Sequence, residues 1–149
     1  MKTIKKTVER VVEETITVYR ADDGKEFNSE ADCHDYEIDL KRNIVLARSD
    51  VEVSETLKGF APEVAGYGWD ENCEYIWVMP HSEEAATYLQ KAYQSEYSTA
   101  RFRKDEWMCI EIDGSGNVDL ISENMLIRSV EDQFKKMGIK VFFERKETL

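Results

Sequence analysis

The stretch Cys73-Glu74-Tyr75-Ile76-Trp77-Val78-Met79-Pro80-His81-Ser82-Glu83-Glu84-Ala85 decides the fold class, because a strand pattern gives way to a helix start within it. Its first half is rich in β-branched and aromatic residues, with Tyr75, Trp77 and Met79 on one side and Ile76 and Val78 on the other. That pattern suits a strand covered on both faces. Pro80 ends it. Ser82 followed by two acids opens a helix, since carboxylates in the first turn complement the helix dipole. Ala85, Tyr88, Leu89 and Ala92 give this helix a buried side and carry it to about Tyr97.

Toward the C-terminus, Trp107 to Ile112 and Val118 to Ile121 flank Asp113-Gly114-Ser115-Gly116-Asn117, the signature of a β-hairpin with a Gly-containing loop. A last helix is expected from Ser122, with an apolar stripe of Leu126, Ile127, Val130, Phe134 and Met137. Gly138 stops it, and Lys135 and Lys136 sit in its final turn. Ile139 to Arg145 then reads as a terminal strand. Toward the N-terminus, Val8 to Tyr19 alternates as a strand or long hairpin arm, and Asp22-Asp23-Gly24 makes a turn. After Phe27, Asn28 or Ser29 can cap a helix whose stripe is Cys33, Tyr36, Leu40, Ile44 and Ala47. Val51 to Trp69, broken by Gly59, Pro62, Gly66 and Gly68, receives no assigned element. Strands and helices mix without a regular βαβ repeat. The expectation is a single α+β domain over residues 1–149, mainly antiparallel sheet with about three helices.

Composition agrees with a folded chain. With 42% hydrophobic and 11% aromatic residues beside 34% charged, it can build a core, burying roughly two thirds of its unfolded surface at this length. The N-terminal Met-Lys-Thr-Ile-Lys-Lys-Thr is basic, but Glu9, Glu13 and Glu14 interrupt any apolar run, so neither a signal peptide nor a membrane span is expected. Cys33, Cys73 and Cys109 are odd in number and scattered, which argues for a reducing compartment and a cytoplasmic location.

The charge is concentrated. From Asp22 to His81 there are fifteen Asp and Glu against five Lys and Arg, within a whole-chain net charge of −11. No Lys or Arg occurs between Lys58 and Lys91. Such a field attracts a basic partner and repels free nucleic acid. Asp32, Asp35 and Asp39 fall at the i, i+3, i+7 spacing of one helical row, opposite the stripe, and form a solvent-facing ridge. A second candidate surface is Tyr67, Trp69, Asp70, Glu71 and Glu74, with Tyr75 and Trp77 beside it. Aromatic anchors ringed by carboxylates suit the capture of Arg and Lys side chains. Trp77 reads as core, whereas Tyr67 and Trp69, among glycines, read as loop residues.

Catalytic and metal motifs are weak. Glu111 to Ser122 matches several calcium-loop positions, but its first ligand position is Glu111 and its last is Ser122, with Glu123 one residue late. A hairpin turn accounts for the same residues. The cysteines and histidines lack zinc-ligand spacing, and Gly59 to Gly68 lacks a phosphate-loop pattern. No enzyme, cofactor or metal site is therefore expected. The alternatives are a metal- or small-ligand-binding enzyme built on the carboxylates, or a virion structural or assembly protein.

The segment Tyr19-Arg-Ala-Asp-Asp-Gly24-Lys-Glu-Phe27, followed by Glu30-Ala-Asp-Cys33-His-Asp-Tyr36-Glu37, resembles one that recurs in small proteins of bacteriophages and mobile elements of Gram-positive bacteria. There it is a strand, a Gly turn and a short acidic helix. The resemblance covers Tyr19 to Glu37, about an eighth of the chain, and carries no catalytic residue. Small acidic phage proteins of this size include anti-CRISPR inhibitors, which bind a Cas nuclease and occupy its nucleic-acid channel. Together with the acidic region, the phage-like segment leads to the expectation of an anti-defence protein that inhibits a basic nucleic-acid-handling host protein, above all a Cas nuclease, by mimicking nucleic acid, while charge and hydropathy speak against binding nucleic acid or membrane itself.

Overall fold

The computed structural model describes residues 15–57 and 72–146. The chain forms two units, Met1–Glu37 and Ile38–Leu149. The predicted strand over Val8 to Tyr19 falls largely outside the described residues. Residues 15–18 are exposed and belong to no strand, and pairing begins only at Tyr19.

In the first unit, β1 (Tyr19–Arg20) pairs antiparallel with β2 (Glu26–Phe27), joining Tyr19 to Phe27 and Arg20 to Glu26. The turn between them needs a left-handed residue, supplied by Gly24 at φ +93°. Asp23 fixes it by accepting the Lys25 N–H at 3.1 Å, and the Tyr36 hydroxyl donates to the other Asp23 oxygen at 2.8 Å. Tyr36 also packs on Phe27, with ring centroids 5.1 Å apart. Helix α1 (Glu30–Leu46) starts behind Ser29, whose Oγ accepts the Asp32 N–H at 3.4 Å. Cys33 is buried.

The second unit holds the rest of α1 and a four-stranded antiparallel sheet in the order β3-β4-β5-β6, made of β3 (Val51–Val53), β4 (Glu74–Pro80), β5 (Met108–Ile112) and β6 (Val118–Ser122). Strand alternation sends Ile76 and Val78 to one face and Tyr75 and Trp77 to the other. On the first face Val78, Ile110 and Leu120 pack with Val45, Leu89, Tyr93 and Phe102. On the second, Trp77, Cys109 and Ile121 gather Leu57, Trp107, Met125 and Leu126. The architecture is α+β, with antiparallel sheets and three helices among the described residues.

Helix α2 (Glu83–Ala92) begins where Ser82 predicts, the Ser82 Oγ accepting the Ala85 N–H at 2.9 Å. It stops five residues before Tyr97. Tyr93 turns off the helix at φ −122° and buries its ring, and Ser95 Oγ takes the N–H groups of Tyr97 and Ser98 at 3.1 and 2.9 Å. Serine oxygens that capture nearby amides compete with helix propagation. The buried side of α2 is Ala85, Ala86 and Leu89, and Tyr88 is exposed under the Arg48 guanidinium instead. In α1 the stripe also differs from expectation. Val45 is buried, while Ile44 is 60% exposed and Ala47 is exposed.

The β5–β6 connection is a hairpin turn. Asp113 Oδ1 accepts from the Ser115 and Asn117 amides at 2.8 and 2.9 Å, and Oδ2 accepts from Asn117 Nδ2 at 2.8 Å. The Asp113 carboxylate thus ties the turn together. Helix α3 (Glu123–Lys136) is capped by Ser122 and closes at Gly138, φ +74°. The predicted strand over Ile139 to Arg145 is absent. The segment is held instead by Arg145, whose guanidinium meets both Glu123 oxygens at 2.6 and 2.7 Å and the Asp105 carbonyl at 2.6 Å.

Candidate functional site

Helix α1 carries Glu30, Asp32, Asp35, Glu37 and Asp39 before its first Lys or Arg, Lys41. Asp32 and Asp35 in the first unit are exposed and, among the described residues, form no ion pair or side-chain hydrogen bond, and the same holds for Asp39 in the second. The neighbouring charges contrast with this. Arg20 pairs with Glu26, and Arg48 grips Asp50 through Nε and Nη2 at 2.8 and 3.0 Å. Of the other sequence candidates, Glu74 is exposed at the start of β4. Tyr67, Trp69, Asp70 and Glu71 lie outside the described residues.

Within the second unit, Asp39 and Glu74 share a cleft of about 490 Å3 with Arg42, Leu46, Ile76, Tyr93 and Asp113. The C-terminal part of α1, the first residues of β4 and the hairpin turn bring them together. The Arg42 guanidinium lies 5.2 Å from the Tyr93 ring centroid, and its Nε is buried without a hydrogen-bond partner. Burial, with Glu74 and Asp39 nearby, pushes the Tyr93 hydroxyl up to about 12 against the opposing pull of Arg42. Tyr93 therefore stays neutral. The cleft offers a recess with carboxylates at its mouth and a stacked aromatic–guanidinium pair inside.

A polar knot at the other end of β4 had no sequence signal. Asp50 accepts from Arg48 and, at 2.6 Å, from the Ser82 hydroxyl, and these bonds hold its carboxyl down at about 2. His81 Nδ1 lies 3.2 Å from Asp105 Oδ1 and Nε2 lies 3.1 Å from Glu52 Oε2. Both ring nitrogens can donate only in the imidazolium form, and the Asp105 bond, then the Glu52 bond, raise the His81 pKa above 6.5. The knot is a cross-brace joining β3, the β4–α2 turn and the loop before β5. Its one hydroxyl, Ser82, spends its proton on Asp50 and its oxygen on the Ala85 N–H.

A pH dependence follows. A raised folded-state pKa means that the His81 contribution is complete below the unfolded value and is lost as pH rises through the folded one. All three groups are substantially exposed, so screening limits the effect to about 0.2–1 kcal/mol. Urea midpoints at about pH 5.5 and 8.5 should fall for the wild type and stay nearly level for His81→Gln, apart from groups common to both. An equal fall in both proteins would remove the brace from the account.

Cys109 is fully buried and desolvation pushes its thiol up to about 12, which makes it inert. Among the described residues, no three His, Cys, Asp or Glu side chains group as metal ligands, and no helix is long and apolar enough to cross a membrane. Fold and site together define an α+β protein with uncommitted carboxylates. In comparisons with family models, curated proteins and solved structures, nothing matches the chain.

Proposed function

We propose that this chain is a non-enzymatic binding protein that engages a basic, nucleic-acid-handling host protein through its exposed carboxylates. The partner proposed, from the acidic region and the segment resembling small phage and mobile-element proteins, is a CRISPR Cas nuclease in the cytoplasm of a bacterial host. The observation that carries the reading is the uncommitted state of Asp32, Asp35 and Asp39, exposed on α1 and bound to no cation among the described residues. A carboxylate already paired has little to offer a partner, whereas an unpaired one keeps its charge for an incoming Arg or Lys. Helical acids three or four residues apart stand about 5–6 Å from one another, a sparser row than phosphates at one per ~3.4 Å along each strand, but one of the same sign. A channel lined for phosphates therefore meets a row of charge of the right sign.

The test is direct binding to purified Cas nucleases, with and without guide RNA, at low and high salt. Binding should weaken as salt rises, because exposed charges are screened within ~8 Å at physiological ionic strength. Asp32→Lys/Asp35→Lys/Asp39→Lys should melt near wild type, each change costing under about 0.5 kcal/mol, and bind at least about tenfold more weakly. A folded triple variant that binds as well as wild type removes the helix from the interface. A wild-type protein that binds no such nuclease at low salt defeats the nuclease reading.

A further inference from the structure

Helix α3 is fourteen residues long, capped at both ends, and buries none of them. Met125 and Leu126 touch the sheet's second face, but every residue from 131 to 140 is exposed. Met137 is 71% exposed, and Phe142 in the returning segment is 83% exposed. Helices in proteins draw most of their stability from covering an amphipathic face, and along the stripe of α3 the described residues cover Ile127 and Val130 only in part, leave Phe134 37% exposed and leave Met137 almost bare.

We infer that this face is the seat of a second copy of the same chain, with the two α3 helices antiparallel about a two-fold axis beside Phe134. Charge selects that occupant. Glu131 and Lys135 lie on one flank of the stripe, and neither forms an ion pair among the described residues. In an antiparallel pair the same flanks face each other. A two-fold between these positions sets Glu131 of one copy against Lys135 of the other, and repeats the pairing by symmetry. A parallel arrangement does not give this reciprocal match. The flank is also concave. Glu131, Lys135, Gly138, Ile139, Lys140 and Val141 line a groove of about 500 Å3 between the helix end and the returning segment, open to an apolar side chain from the other copy. The inference is independent of the proposed partner, since it uses no residue of the acidic region.

The test is the molar mass in solution by light scattering and sedimentation over a dilution series of the full chain. Wild type should dimerise and melt at a temperature that rises with concentration, whereas Phe134→Ser should be monomeric and still melt cooperatively, at a temperature independent of concentration. Glu131→Lys and Lys135→Glu each replace two attractive encounters by two repulsive ones, and should each weaken self-association about tenfold. Mixing these two variants should restore a heterodimer, and Glu131→Lys/Lys135→Glu in one chain should restore the homodimer. A wild type that is monomeric up to about 0.1 mM, where a micromolar dimer would be populated, overturns the inference. So does a dimer that the charge variants leave untouched, or one that the mixture fails to recover. A monomer that captures an acidic protein through this face would assign the surface to that partner instead.

Discussion

Trp77→Ala is expected to cost about 3–5 kcal/mol of folding stability. Trp77 is 4% exposed at the centre of β4, paired with Cys109 and packed with Ile121 on the sheet's second face. Only Leu57, Tyr75, Trp107, Met125 and Leu126 are described around that trio, and all are partly exposed, so no large buried neighbour stands ready to fill the space. The loss therefore combines transfer of a large ring with a cavity that closes poorly. For a chain of this length each kcal/mol moves the melting temperature by about 2–4 °C, so a fall of roughly 6–20 °C is expected. Phe142→Ala, at a far more exposed ring, should stay within about 0.5 kcal/mol of wild type. A loss under about 1 kcal/mol for Trp77→Ala would mean that the second face is not a core. Partner binding by the folded fraction should be unchanged, because Trp77 is not on the surface.

The same residue shows what was legible in the sequence. Period-two alternation in Cys73 to Met79 sorts side chains to two faces whatever the rest of the chain does, and both faces prove to be packed. The hairpin around Asp113 and the Ser82 and Ser122 caps are equally local, since each is made by residues within five positions of one another. Where choice depended on distant residues, pattern was not enough. The run Ile44-Val45-Leu46-Ala47 puts apolar side chains on every face of α1, and the choice of Val45 is made by packing against the sheet and α2. Ile139 to Phe143 has strand-forming residues, but an Arg145 clamp onto Glu123 and Asp105 fixes it in place of a ladder. Exposure of Asp32, Asp35 and Asp39 followed from helical spacing alone. The company of Glu74, and the bracing of His81 by residues 24 and 29 positions away, did not, because such separations leave no periodic trace.

Ser82→Ala joins local and distant structure, and is expected to cost about 1–2 kcal/mol. The hydroxyl does two things at once. Its oxygen accepts the Ala85 N–H at 2.9 Å, satisfying one of the orphan donors of α2, and its proton goes to Asp50 Oδ2 at 2.6 Å. Ser122→Ala, which removes only the 3.3 Å cap of α3, should cost less, about 0.5–1 kcal/mol. The two variants also differ in acid. Asp50 is held at about 2 first by Arg48 and then by Ser82, so its contribution is present above the ordinary carboxylate value of 3.8 and is lost as pH falls through the folded one. Removing Ser82 leaves the Arg48 grip and takes away the second cause, so the Asp50 titration should move upward toward 3.8 in Ser82→Ala and stay in place in Ser122→Ala. Side-chain carboxyl NMR across the acid range reads this directly. If Asp50 titrates identically in both variants, the Ser82 bond does not set its charge, and the β4–α2 junction rests on the cap and the Arg48 pair alone.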